Sequence, residues 1–204
     1  MLSKPEAGWT DFSIDGKHIY SLSYLNDIAF DWLEQAIHGL YTMQPFAVYG
    51  FCEPNSMVCT VSHWNCYVVF EDDGMSDTYS CIEMYCVELS MADFCKMLYS
   101  DISENIDAWV HWDDGDLRMA AESRYDEEYA GDEEYNEEHF EKVLEKLFAE
   151  RKQCLEEKLK ELKELIDDSA KYFRKREEKN SKNRRRRFLQ GSLSSEPFLS
   201  EPFL

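Results

Sequence analysis

The residues able to do chemistry in this 204-residue chain are five histidines, seven cysteines and 42 acids, and their spacing decides what they can do. Cys59, His63 and Cys66 come nearest to a zinc set, which needs four converging nitrogen or sulfur ligands. In a continuous strand Cys59 and His63 share a face and Cys66 takes the other, although a turn at Trp64-Asn65 would bring His63 to Cys66. His63 with a cysteine is also the starting point for a small enzyme. The remaining histidines, His18, His38, His111 and His139, are scattered. Cys52, Cys59, Cys66, Cys81, Cys86 and Cys95 stand among apolar neighbours on expected strands or a helix, which suits buried, inert thiols. No Gly-x-Ser-x-Gly and no glycine-rich phosphate loop occurs among 8 glycines. An EF-hand placed on Gly74 or Gly115 would begin with Val69 or Val110, neither a ligand. No pair of carboxylates stands out for acid–base work. The expectation is a protein that is not an enzyme and has no cofactor and no metal site.

Charge points elsewhere. The formal net charge is −20, and residues 1–170 hold 12 Lys and Arg against 38 acids. Ten of the 22 cations fall between Lys171 and Arg187. An acidic body repels nucleic acid and anionic membrane, and attracts basic proteins. Tyr125, Asp126, Glu127, Glu128 and Tyr129, with Asp132, Glu133, Glu134 and Tyr135, combine that charge with aromatic anchors and are the expected partner-binding residues. The Arg184–Arg187 run suits nucleic-acid contact, folding back onto the acidic segment, or a cationic helix terminus. There is no leader-like apolar run after Met1 and no stretch approaches a membrane span, so a reduced, cytoplasmic setting is expected.

These residues must be positioned by a fold of the α+β class. Trp9–Ile14 and His18–Ser23 read as strands joined at Asp15-Gly16. Asn26 or Asp27 caps a helix to about Tyr41, with Ile28, Ala29, Trp32, Leu33, Ala36, Ile37 and Leu40 in one apolar stripe. Phe46–Cys52, Val58–Trp64, Cys66–Phe70 and Tyr79–Leu89 read as strands, with Glu53-Pro54-Asn55-Ser56 as a turn. On the last of these, Glu83 is the misfit among Cys81, Tyr85, Val87 and Leu89. Ser90-x-x-Asp93 opens a second helix carrying Phe94, Met97, Leu98 and Ile102. The order predicts an antiparallel sheet with helices on one face, followed by a long C-terminal amphipathic helix. The expected domains are a globular unit at 1–112, an acidic connector at 113–136 with one helical turn near Leu117–Ala121, a charged helix at 137–187 and a disordered tail at 188–204.

The long helix carries a heptad-like seam of Phe148, Leu155, Leu159, Leu162, Ile166 and Phe173. Such a seam must be covered by the body, a second copy or a target. The tail repeats Ser-Glu-Pro-Phe-Leu at Ser195–Leu199 and Ser200–Leu204 after Gly191-Ser192, and reads as a linear motif or an addition with no part in the fold.

The run His18–Asp27, an amphipathic helix, then Phe51-Cys52-Glu53-Pro54 and paired strands resembles small bacterial immunity-like α+β proteins over about residues 10–110. Some proteins of this build serve as immunity partners of toxins. The resemblance implies a fold and no catalytic residues. The first expectation for function is therefore a non-catalytic acidic inhibitor that occludes a basic partner, such as a nuclease or other nucleic-acid-binding protein. The alternatives are a scaffold that self-associates through the seam, and the small enzyme using His63 and a cysteine.

Overall fold

A computed structural model describes residues 1–71, 81–112, 114–129 and 136–191, without the side chains of 81, 82, 114 and 170–191. Two strands, β1 (Trp9–Phe12) and β2 (Tyr20–Ser23), form an antiparallel ribbon. The helix α1 (Ile28–Thr42) follows. Then β3 (Phe46–Cys52), β4 (Asn55–Val61), β5 (Cys66–Glu71) and β6 (Cys81–Val87) make an antiparallel sheet in sequence order. The helices α2 (Met91–Glu104), α3 (Ile106–Val110), α4 (Asp114–Glu128) and α5 (Glu137–Gly191) complete the chain. The class is α+β, as the sequence predicts.

Local chemistry explains the boundaries. Asp15 accepts from the amides of Lys17 and His18, both at 2.9 Å, and Gly16 takes φ +69°. The expected turn therefore forms, but inside a longer loop that trims both strands. Ser62 and Asn65 close the β4–β5 turn through Ser62 N–H to Asn65 O at 2.9 Å and Asn65 N–H to Ser62 Oγ at 3.1 Å. This ends β4 at Val61 and leaves His63 and Trp64 exposed at the tip. Asp27 caps α1 by accepting from Phe30 N–H. Ser90 caps α2, accepting from Asp93 N–H at 3.2 Å and donating to the Asp93 carboxylate at 2.7 Å.

Alternation sends Phe46, Val48, Met57, Cys59, Val61, Cys66 and Val68 to one face of the sheet, where they are buried. α1 and α2 lie on that face. Phe46 meets Phe94 of α2 edge-on, with ring centroids 5.9 Å apart, and lies directly over Gly39 of α1, where a side chain would enter the ring. Trp32 fills the interior and donates its indole N–H to Tyr49 O at 2.8 Å.

The chain divides into two compact units, and the first is Met1–Ile166. This division falls after Ile166, past the expected boundary at 112. Leu155, Leu159, Leu162 and Ile166 belong to the same buried cluster as the sheet and α1, so the front of α5 is part of the body. The described part of the second unit is the remainder of the helix, from Asp167 to Gly191. That helix continues beyond the expected end at 187, and the Arg184–Arg187 backbone is helical. The repeated tail sequence lies outside the described residues.

Candidate partner-binding surface

The segment expected as an acidic connector is largely helical. α4 lacks a continuous apolar stripe, yet Ala121 and Tyr125, one turn apart, pack with Phe140, Val143 and Leu144 of α5 into a second buried cluster. Asn136 caps α5, its side chain accepting from Glu138 N–H at 3.0 Å and His139 N–H at 3.3 Å. The Tyr125 hydroxyl accepts from Asn136 N–H at 2.8 Å. Arg124 joins the two helices through the Glu150 carboxylate at 2.9 Å.

This arrangement sorts the expected partner-binding residues. Tyr125 is buried between the helices and is not a surface anchor. Tyr129 is half-buried, stacked on Tyr125 at 5.0 Å and on His139 at 4.7 Å. Asp126, Glu127 and Glu128 are exposed, and Glu128 is partly neutralised by Arg124 at 3.4 Å. Asp132, Glu133, Glu134 and Tyr135 lie outside the described residues. Among the described residues, the exposed Glu122, Asp126, Glu127, Glu137 and Glu141 are in no ion pair. They are exposed carboxylates on two helices that an apolar cluster clamps together.

The seam is covered within the chain. Leu155 and Leu162 are fully buried, Leu159 and Ile166 nearly so, and Phe148 is half-buried against the His111 ring at 4.2 Å. Lys152, between them in the heptad, reaches the Asp107 carboxylate at 2.7 Å. The Phe173 side chain lies outside the described ones. A second copy cannot use the four buried aliphatic residues without undocking α5.

The structure matches no family model, no curated protein and no solved structure.

Among the described residues no hydrogen bond joins His63 to a cysteine. His63 is exposed, while Cys59 and Cys66 are buried. The adjacent Cys66 sulfur and burial push the Cys59 thiol up, and burial pushes Cys95 up to about 12 and Cys52 up to about 11. These thiols stay protonated near neutral pH. Cys86 departs from expectation: it is exposed, on the sheet face away from the helices. Among the described residues no three or more His, Cys, Asp or Glu side chains converge as metal ligands. Among them, too, no helix is long and apolar enough to cross a membrane.

One polar cluster has no counterpart in the expected sites. The misfit Glu83 accepts from the Tyr20 hydroxyl at 2.7 Å and lies 3.2 Å from His18 Nε2. His18 Nδ1 lies 2.6 Å from Asp15, and its ring stacks on Tyr85 at 4.2 Å. The β1–β2 loop is thus fastened to β6. Burial and Glu83 hold the Tyr20 hydroxyl far above the usual phenol range, and burial pushes Tyr85 up to about 12. Burial alone would raise the Asp15 carboxyl, but the His18 and Lys17 amides and the His18 ring outweigh it and lower it to about 2.

A carboxyl depressed in the folded state stabilises above its unfolded value of 3.8, and that contribution is lost as pH falls through about 2. Asp15→Asn is expected to lower unfolding free energy in urea by about 1–2 kcal/mol at neutral pH, allowing for partial screening. The deficit should shrink between pH 4 and pH 2. A deficit that is constant with pH would show that the Asp15 charge is not what fastens the loop.

Proposed function

We propose that the protein is a non-catalytic acidic inhibitor, of the immunity type, that binds and occludes a basic protein in the cytoplasm. A nuclease or another nucleic-acid-binding protein has the required surface, because a phosphate-binding site is ringed with Lys and Arg. The observation that carries the reading is the set of unpaired carboxylates on α4 and the start of α5, Glu122, Asp126, Glu127, Glu137 and Glu141. Carboxylates fixed on packed helices present a constant field and accelerate encounter with a cationic partner. The self-associating scaffold is the weaker reading, since its seam is covered by the body.

The test begins with capture from lysate of the source at low and high salt, followed by purification of the captured protein. With that protein in hand, Glu122→Lys with Asp126→Lys and Glu127→Lys should slow association about tenfold or more at low salt and barely change dissociation. The effect should fade as salt rises. An unchanged association rate would remove the acidic surface from the mechanism. Loss of the captured protein's own activity on binding is the second requirement of an inhibitor.

A further inference from the structure

The face of the four-stranded sheet turned away from the helices is uncharged at its centre. The strand register sets Tyr49, Val58, Val69 and Met84 side by side across all four strands. The next row is Ala47, Thr60, Tyr67 and Cys86. Met84 is 70% exposed, Tyr67 44% and Tyr49 39%, and Trp64 at the adjoining turn is 71% exposed. A solvated face of an antiparallel sheet ordinarily carries polar residues. Here two rows offer aromatic, aliphatic and thioether groups, the types enriched at the centres of protein interfaces.

The surroundings of this face are acidic. From His18 to Cys95 the sequence has no Lys or Arg, so no strand of the sheet carries a cation of that kind. Exposed Glu53 and Glu88 flank the strands. At the β3 edge, a cleft of about 260 Å³ is lined by Tyr49 together with Asp31, Glu34, Gln35 and Asn26. Partial burial raises the Asp31 carboxyl, and neighbouring Asp27 and Glu34 push the same way, against a hydrogen bond from Asn26. Glu34 has one cation near it, Lys158 at 3.7 Å.

We propose that this open sheet face is the docking surface for the basic partner. Its occupant is a protein surface with an aliphatic or aromatic centre, flanked by Lys or Arg side chains that reach the acidic border and the Asp31–Glu34 cleft. The proposal rests on the reading above that the partner is basic, and divides the labour: the helical carboxylates steer, and the sheet anchors. A second copy is the wrong occupant, because two identical faces would bring acid against acid along their borders, and no strand of either sheet carries a Lys or Arg to offset it.

Cys86, inside the patch, and Cys154, exposed on α5 far along the chain, are built-in reporters. The probe is a fluorescein-labelled amphipathic helix of about 18 residues, with leucines along one face and lysines at both borders. A scrambled peptide of the same composition is the control. Binding is read by anisotropy at low salt, and alkylation of each cysteine by iodoacetamide is located by peptide mapping. The patterned peptide should bind about tenfold more tightly than the scrambled one and slow alkylation of Cys86 about tenfold, leaving Cys154 unchanged. Met84→Lys, at a position that contributes little to the core, should remove at least tenfold of that affinity. Equal binding of both peptides with Cys86 unprotected would overturn the sheet face while leaving a basic partner intact. No binding of either peptide would overturn both. Cys86 protected in the protein alone, with a doubled mass in light scattering, would make a second copy the occupant and overturn the proposal.

Discussion

Replacing Leu159 and Ile166 with Asp should lower the melting midpoint by roughly 20 °C or leave the chain unfolded, with no change of mass in light scattering while it remains folded. Both side chains are at most 5% exposed and sit in the cluster that includes the sheet and α1. Removing a buried aliphatic side chain costs about 2–5 kcal/mol, and a carboxylate in its place must be protonated or drag water in. Two such changes approach the total stability of an ordinary domain, about 5–15 kcal/mol. Glu161→Ala, on the exposed side of the same helix, is the control and should be nearly silent. A fall in mass with an unchanged melting midpoint would mean that the seam joins copies instead of docking on its own body.

The second large effect is expected at Arg151. Its guanidinium donates to Asp27 at 2.7 Å and to Val110 O at 3.1 Å, and lies 4.7 Å above the Phe30 ring. Asp27 is at the same time the N-cap of α1. One side chain therefore ties α5 to the start of α1 and to the end of α3. Breaking a buried ion pair by removing one partner costs about 3–5 kcal/mol. Asp27 is 30% exposed, so about 2–3 kcal/mol is the fitting range for Arg151→Ala. That corresponds to a midpoint lowered by roughly 5–10 °C. Arg151→Lys should recover less than half, since an ammonium cannot serve the carboxylate, the carbonyl and the ring at once. A loss below about 2 °C in the alanine variant would make the contact a surface pair of no consequence.

The elements most legible in the sequence are those whose pattern is local. The α1 stripe and the Asp27 cap lie within one stretch of chain, and the bounds of β3, Phe46 and Cys52, follow from its own residues. The seam is legible as apolar, but what covers it is not, because the helix that carries it meets the body through residues distant in sequence, Asp27, Phe30 and Glu34 of the α1 region and Asp107 and Val110 of α3. The sequence supports one helical turn near Leu117–Ala121 and not the whole of α4, because among the described side chains of α4 only Ala121 and Tyr125 are buried, too few to make a period, and the surface that buries them belongs to α5. Glu83 advertised itself as out of place among apolar neighbours, yet its partner Tyr20 lies 63 residues away in sequence. Cys86 was open to deduction. Strand parity puts it opposite Tyr85, so a buried Tyr85 face leaves Cys86 outward. Tyr125 is ambiguous in sequence for the same reason as α4: in a chain this acidic, an aromatic beside carboxylates can equally be a residue that a helix pair buries.

The hydrophobic cluster begins at Leu2 and is closed by Ile166, with the Leu2 amide held by Asp101 at 2.8 Å. During synthesis the ends of that cluster are made far apart in time. At roughly 5–20 residues per second, several seconds separate completion of α3 from synthesis of the Leu155–Ile166 segment of α5 that completes the cluster. Through that interval the helices that α5 will meet, α1 and α3 among them, lack the partner that Arg151 and Lys152 later tie to them, while the outer face of the sheet stays open throughout. A ribosome stalled near codon 112 would hold a client for chaperones rather than a finished domain.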